Sequence, residues 1–163
     1  MNQLELVSHS TRQTQDLGKI IGGLASAGDI IFLVGNLGAG KTNLTQGIAK
    51  GLDVTENALS PSFVLVREMY GRLPLYHIDL YRLDLSEEIE ELGLDDYFYG
   101  SRVTVVEWAD KADELLPTEN LRIEIAYLDE NKRKLTLSAW GIRYEELLNE
   151  IAQRVKDAGF NSH

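Results

Sequence analysis

Asp29-Ile30-Ile31-Phe32-Leu33-Val34 runs directly into Gly35-Asn36-Leu37-Gly38-Ala39-Gly40-Lys41-Thr42, and behind that loop Leu44, Ile48 and Leu52 recur every four residues. The first run is short, nearly all apolar and rich in β-branched and aromatic side chains, as in a parallel strand buried on both faces. The later spacing is helical. A strand, a loop of the form Gly-x-x-x-x-Gly-Lys-Thr and a helix, in that order, is the arrangement in which such a loop cradles phosphate, so the chain is expected to be an α/β protein with a phosphate-binding loop.

The residue types follow from the ligand. A triphosphate presents several negative oxygens at close quarters, and only backbone free of bulky Cβ groups can wrap it with its N–H groups pointing inward. Asn36, Leu37, Gly38, Ala39 and Gly40 supply that wrapping. Lys41 adds a point charge on a flexible stem that reaches the β- and γ-phosphates. Thr42 offers a hydroxyl to the Mg²⁺ that accompanies the nucleotide, and the first turn of the following helix adds its positive dipole end.

At 163 residues, with 44% hydrophobic and 26% charged residues, the chain suits one domain spanning residues 1–163. With no cysteine, disulfides, thiolate zinc sites and a cysteine nucleophile are excluded, which fits a reducing cytoplasm. No long apolar run exists, and the N-terminus lacks a basic region followed by an apolar one, so neither secretion nor membrane insertion is expected. A net charge of −10 would repel nucleic acid over most of the surface, so any link to RNA is expected to be indirect. Much of the excess is local. Asp84, Glu87, Glu88, Glu90, Glu91, Asp95 and Asp96 fall in a stretch without Lys or Arg, which reads either as a solvated helical face over Leu85, Ile89 and Leu92 or as an acidic dock for a basic partner.

The remaining elements are predicted from periodicity. A strand is expected over residues 3–7, then a helix entered at Ser10 or Thr11 with Leu17, Ile21 and Leu24 on one face, weakened by Gly18, Gly22 and Gly23. Residues 63–70 and 75–79 read as a hairpin turning at Gly71-Arg72. An acidic helix follows, then a strand over 102–107 and a second hairpin, 121–125 and 135–140, around Asp129-Glu130-Asn131. A last helix is expected from Tyr144, burying Leu148, Ile151 and Val155 and stopping near Gly159. The expected result is a mixed central sheet flanked by helices.

A triphosphatase also needs a carboxylate near its metal, commonly where a buried strand ends beside the glycine loop. Glu107 closes the run Val103-Thr104-Val105-Val106 and Asp79 closes Leu75-Tyr76-His77-Ile78. Glu107 reads as a ligand of Mg²⁺ or of its water, against a plain charge emerging into solvent; Asp79 is open to both readings. His77 is a candidate base or a structural strand histidine, Trp108 a core residue or a stacking partner for adenine, and Ser60-Pro61-Ser62-Phe63 a rigid turn or a γ-phosphate sensor. Guanine readers carry Asn-Lys-x-Asp; Asn131-Lys132-Arg133-Lys134 has lysine in place of the carboxylate, which favours adenine. Small-molecule kinases need a lid with several arginines, whereas the nine arginines here are scattered singly.

Taken together, residues 35–42, Ser60-Pro61-Ser62-Phe63, the stretch from Leu73 to Leu83 with its His-x-Asp-x-Tyr-Arg, Glu90-Glu91-Leu92-Gly93-Leu94 and Val106-Glu107-Trp108 resemble the TsaE family of bacterial ATPases of tRNA threonylcarbamoyladenosine biosynthesis, over about residues 10–125. The resemblance implies a cytoplasmic, Mg²⁺-dependent ATPase, weak alone, that binds ATP and ADP and resets a complex of TsaB-like and TsaD-like partners, the latter modifying adenosine 37 of tRNA. It implies that Lys41 holds phosphate, that Thr42 and Glu107 serve Mg²⁺, and that Asp79 positions water or metal. It places Thr11 or Ser10 beside the adenine and Lys132 or Arg133 near the nucleotide. Two positions depart from the family pattern: Asn36 stands where Asp is common, removing a carboxylate that could take part in turnover, and Ser62 replaces a frequent threonine. The alternative is a nucleotide-gated binding module that does not hydrolyse, and a more distant one is a small-molecule kinase.

Overall fold

The computed structural model describes residues 2–36, 38–55, 66–80 and 97–162. Its strands are β1 (Gln3–Ser8), β2 (Ile30–Val34), β3 (Val66–Tyr70), β4 (Pro74–Asp79), β5 (Val103–Glu107), β6 (Asn120–Tyr127), β7 (Arg133–Trp140) and β8 (Asn161–Ser162). They form one sheet in the order β3-β4-β5-β2-β6-β7-β1-β8. The central strands β4, β5, β2 and β6 run parallel. β3 closes one edge antiparallel, and β7, β1 and β8 continue antiparallel on the other side. The expected mixed sheet is therefore present, with its most apolar strands at the parallel centre, where both faces are covered.

Alternation along the strands divides the core. Ile31, Leu33, Val103, Val105, Leu121 and Ile123 face the helices α1 (Thr11–Leu24), α2 (Lys41–Gly51) and α3 (Ile142–Asp157), which contribute Leu17, Ile21, Leu44, Ile48, Leu148 and Ile151 to the same cluster. Ile30, Phe32, Ile78 and Val106 point the other way and pack with Phe98, Ala109 and Leu116, around the short 3-10 helix Ala109–Leu115. No helix among the described residues is long and apolar enough to cross a membrane.

α1 begins as its sequence dictates. The Ser10 side chain accepts the Gln13 N–H at 3.0 Å, while the Gln13 side chain accepts the His9 N–H, so two otherwise unpaired donors are satisfied reciprocally. The glycines of α1 have a role that propensity does not reveal. A Cβ on Gly18 would press on Gly47 and the Leu44 carbonyl, and one on Gly22 on the Ile48 carbonyl. α1 and α2 thus meet backbone to backbone, and the burial of Leu17, Ile21, Leu44 and Ile48 offsets the cost of about 1 kcal/mol per helical glycine.

The crossing gives a direct stability prediction. A side chain at Gly47 would overlap the Gln15 carbonyl oxygen and drive the helices apart. Gly47→Val is expected to cost about 3 kcal/mol and to lower Tm by about 6–12 °C in a thermal melt. An unchanged Tm would mean that the helices do not touch there.

Several boundaries differ from expectation, most by one or two residues. α3 starts at Ile142 rather than Tyr144, because Gly141 (φ 110°) turns the chain and its carbonyl accepts both the Tyr144 and Glu145 N–H groups. Ile142 is 76% exposed, so apolar periodicity could not mark it as helical. The turn after β3 runs through Leu73 and folds back on the helices, where the Arg72 guanidinium donates to the carbonyls of Gly22 and Ala25 at 2.9 Å each. β8 had no sequence signal. The expected acidic helix and residues 63–65 of the first hairpin lie outside the described residues.

Candidate nucleotide site

The carboxyl ends of β2, β4 and β5 converge on one rim. Val34 of β2 leads into Gly35, and Leu33, Glu107 and Asp79 are successive neighbours across the three strands. Crevices at the carboxyl ends of parallel strands are where α/β sheets bind ligands, because the loops leave the sheet there and helices begin.

The loop itself is shaped for a ligand wrapped by backbone. Gly40, at φ 114°, precedes α2 in a conformation that a side chain would strain. A Cβ on Gly35 would lie 2.6 Å from the Ile125 carbonyl oxygen, so the loop is pressed against β6. On the other side, the Arg133 Nε donates to the Ala39 carbonyl at 2.9 Å, and its Nη1 donates to the carbonyls of Asp129 and Lys132. Arg133 also lies over the Tyr127 ring, 4.6 Å from its centroid. It therefore ties the loop to the β6–β7 turn, which is closed as expected at Asp129, whose side chain accepts the N–H groups of Asn131 and Lys132. Leu37 lies outside the described residues.

Lys41 opens α2 and is only 5% exposed. Its Nζ donates to the carbonyls of Gly35 at 2.6 Å and Asn36 at 3.0 Å and sits 4.0 Å above the centre of the Trp108 ring. Burial pushes its ammonium below the usual lysine range, opposed by the negative fields of Glu107, Asp79 and Asp110. The cation is thus held on the loop and faces the carboxylates at the strand ends. Thr42, half-buried, follows in the first turn of α2.

Glu107 is 2% exposed and Asp79 6%, so neither is a charge emerging into solvent. Glu107 is hydrogen-bonded to Nε2 of His77, which is fully buried. Trp108, directly after Glu107, takes φ 62°, uncommon for a bulky residue, and donates its N–H to the Leu33 carbonyl at 3.0 Å. Its ring packs on the smaller core cluster and supports Lys41. Hydroxyl and carboxylate oxygens beside a loop lysine are hard donors of the kind Mg²⁺ takes together with nucleotide phosphates, so the residues present fit a Mg²⁺-nucleotide.

The more distant sequence candidates divide. Ser10, Thr11, Gly40, Asn43, Asn131 and Arg133 line one small crevice between the start of α1, the loop and the β6–β7 turn. Ser10, Thr11 and Arg133 are therefore brought beside the loop, whereas Lys132 stands exposed in the turn and is not among the residues lining that crevice. Asn43 and the Arg133–Ala39 tie carried no sequence signal. Ser60-Pro61-Ser62-Phe63 and the acidic stretch 84–96 lie outside the described residues. A hollow of about 480 Å³ opens at the opposite ends of the strands, beside Gly28, Asp29, Tyr99, Glu119, Arg143 and Tyr144. Arg143 there is held by Asp29 at 2.7 Å, and the glycine loop lies at the other end of the strands.

Sheet, loop and strand-end carboxylates together define a P-loop NTPase-like protein. A family model described as "Threonylcarbamoyl adenosine biosynthesis protein TsaE" matches residues 8–135. The chain is 42% identical to the tRNA threonylcarbamoyladenosine biosynthesis protein TsaE of Bacillus subtilis, over 94% of this chain and 96% of that one. It is 36% identical to the TsaE protein of Treponema pallidum, over 83% of this chain and all of that one. The crystal structure of Bacillus subtilis YdiB superposes with a TM-score of 0.83 at 39% identity, covering 93% of this chain and 95% of that one. The chain belongs to the TsaE family.

Proposed function

We propose that this chain, acting as one domain in the cytoplasm, is a Mg²⁺-dependent ATPase that serves tRNA threonylcarbamoyladenosine biosynthesis by resetting a complex of TsaB-like and TsaD-like partners. The observation that carries the reading is the meeting of Lys41, Asp79 and Glu107 on one rim beside the glycine loop, where the buried ammonium feels both carboxylates. Family membership and the relatives' names support the pathway.

Each residue has a part that its position allows. The backbone N–H groups of residues 36–40 cradle the phosphates, and Lys41 exchanges its loop carbonyl partners for β- and γ-phosphate oxygens, which are better acceptors for an ammonium. Thr42 and Glu107 hold Mg²⁺ directly or through its water, and Asp79 orients the attacking water or a metal-bound one. The metal, when bound, neutralises charge that develops on the phosphoryl oxygens. Thr11 and Ser10 border the base, and Arg133 stiffens the loop from behind. Adenine is the base, given the missing guanine-reading carboxylate. Asn36, in place of the aspartate common in the family, leaves catalysis to the strand-end carboxylates.

The net charge of −10 supports contact with tRNA only through the partners, which should offer a basic face. Reconstituted modification tests this role. With TsaB-like and TsaD-like proteins, repeated turnovers of tRNA modification are expected to need this chain and hydrolysable ATP. Undiminished turnover when the chain is left out would contradict the resetting role. Full support from the chain with a non-hydrolysable ATP analogue would instead favour the nucleotide-gated binding module.

A further inference from the structure

We propose that His77 is a positioning residue that fixes the orientation of Glu107 for the metal-bound nucleotide. The inference rests on the role given to Glu107 above and assigns a purpose to a buried group that the hydrolysis reaction does not otherwise use.

β4 and β5 are parallel, with His77 opposite Val105 and Asp79 opposite Glu107. Residues directly opposite, and residues two apart, share a face of the sheet, so His77, Asp79 and Glu107 form one polar line on an otherwise apolar surface. His77 is fully buried among that surface and its Nε2 meets one carboxylate oxygen, Oε2, of Glu107. Its other ring nitrogen, Nδ1, is buried with no hydrogen-bond partner among the described residues.

This asymmetry identifies the hydrogen. A carboxylate only accepts, so Nε2 must carry N–H toward Glu107. A hydrogen on Nδ1 would be a buried donor with no acceptor among the described residues, so the tautomer with its hydrogen on Nε2 is the one the surroundings support. Donation to Oε2 turns the carboxylate and leaves Oε1 for the water or metal at the rim. Carboxylate ligands are commonly held in this way by a partner behind them, and loss of that partner typically weakens metal affinity or activity by about 10- to 100-fold. A histidine that merely filled space would need no polar partner, and leucine would replace it.

The test uses the full-length chain and reads metal coupling without requiring turnover. Nitrogen-15 histidine spectra of the wild type are expected to show His77 as the Nε2–H tautomer. In calorimetric Mg²⁺ titrations of the ATP-loaded protein, His77→Leu is expected to raise the Mg²⁺ requirement by about 10-fold or more, while ATP affinity in chelator stays unchanged. His77→Gln, which keeps an N–H donor at similar reach, should recover most of the loss. An ordinary Mg²⁺ requirement in folded His77→Leu, or an equal loss in both variants, would overturn the proposal. The Nδ1–H tautomer in the wild type would also overturn it, even if neither variant folds. Absence of hydrolysis with both partners would contradict the ATPase reading while leaving these readouts intact.

Discussion

Lys41→Ala is expected to lose about 100-fold or more in ATP affinity by calorimetry, because an ammonium that donates to anionic oxygens contributes about 3 kcal/mol. The fold should survive. Lys41 occupies the first position of α2, where alanine is a good helix former, and its Nζ contacts are with two loop carbonyls and one face of the Trp108 ring, which keeps its packing on the smaller core cluster. Removing the ammonium also leaves Glu107 and Asp79 without the nearby cation whose field they share. Unchanged affinity in a folded variant would mean that the glycine loop does not hold phosphate.

Glu107→Gln should separate binding from turnover. Glutamine keeps the volume and an oxygen that accepts from His77 Nε2, so the strand should stay intact, yet the negative charge at the rim is gone. Partner-stimulated hydrolysis is expected to fall by about 100-fold or more, the effect of losing a group that activates water or holds the metal. ATP affinity in the absence of Mg²⁺ should hold or rise, since a negative charge near the phosphates is removed. Normal turnover in this variant would reduce Glu107 to a structural acceptor for His77.

What could be read in the sequence was local. The strand–loop–helix unit, the Asp129 turn and the carboxylates at the ends of β4 and β5 announce themselves through periodicity, glycine spacing or a charge closing an apolar run. Those runs leave open whether Glu107 and Asp79 emerge into solvent; their burial follows from the place of both strands inside the sheet.

The rest depends on partners far apart in the chain. Nothing in the neighbourhood of Arg133 marks it as the group that reaches the Ala39 carbonyl, 94 residues away. The glycines of α1 counted against that helix until α2 was laid across it, because propensity values a glycine for its own segment and the close approach belongs to two. His77 and Trp108 were ambiguous for the same reason. A lone strand histidine becomes a support for Glu107 only when β4 and β5 are in register, and Trp108 becomes a floor for Lys41 only once α2 begins beside β5. The acidic stretch between Asp84 and Asp96 lies outside the described residues.

Phosphate release from ATP, measured for the purified chain alone and again with TsaB-like and TsaD-like proteins, is expected to be slow in the first case, clearly faster in the second, and abolished in both by Lys41→Ala. No release in either condition, with ATP still bound, would contradict the ATPase and leave a nucleotide-gated binding module.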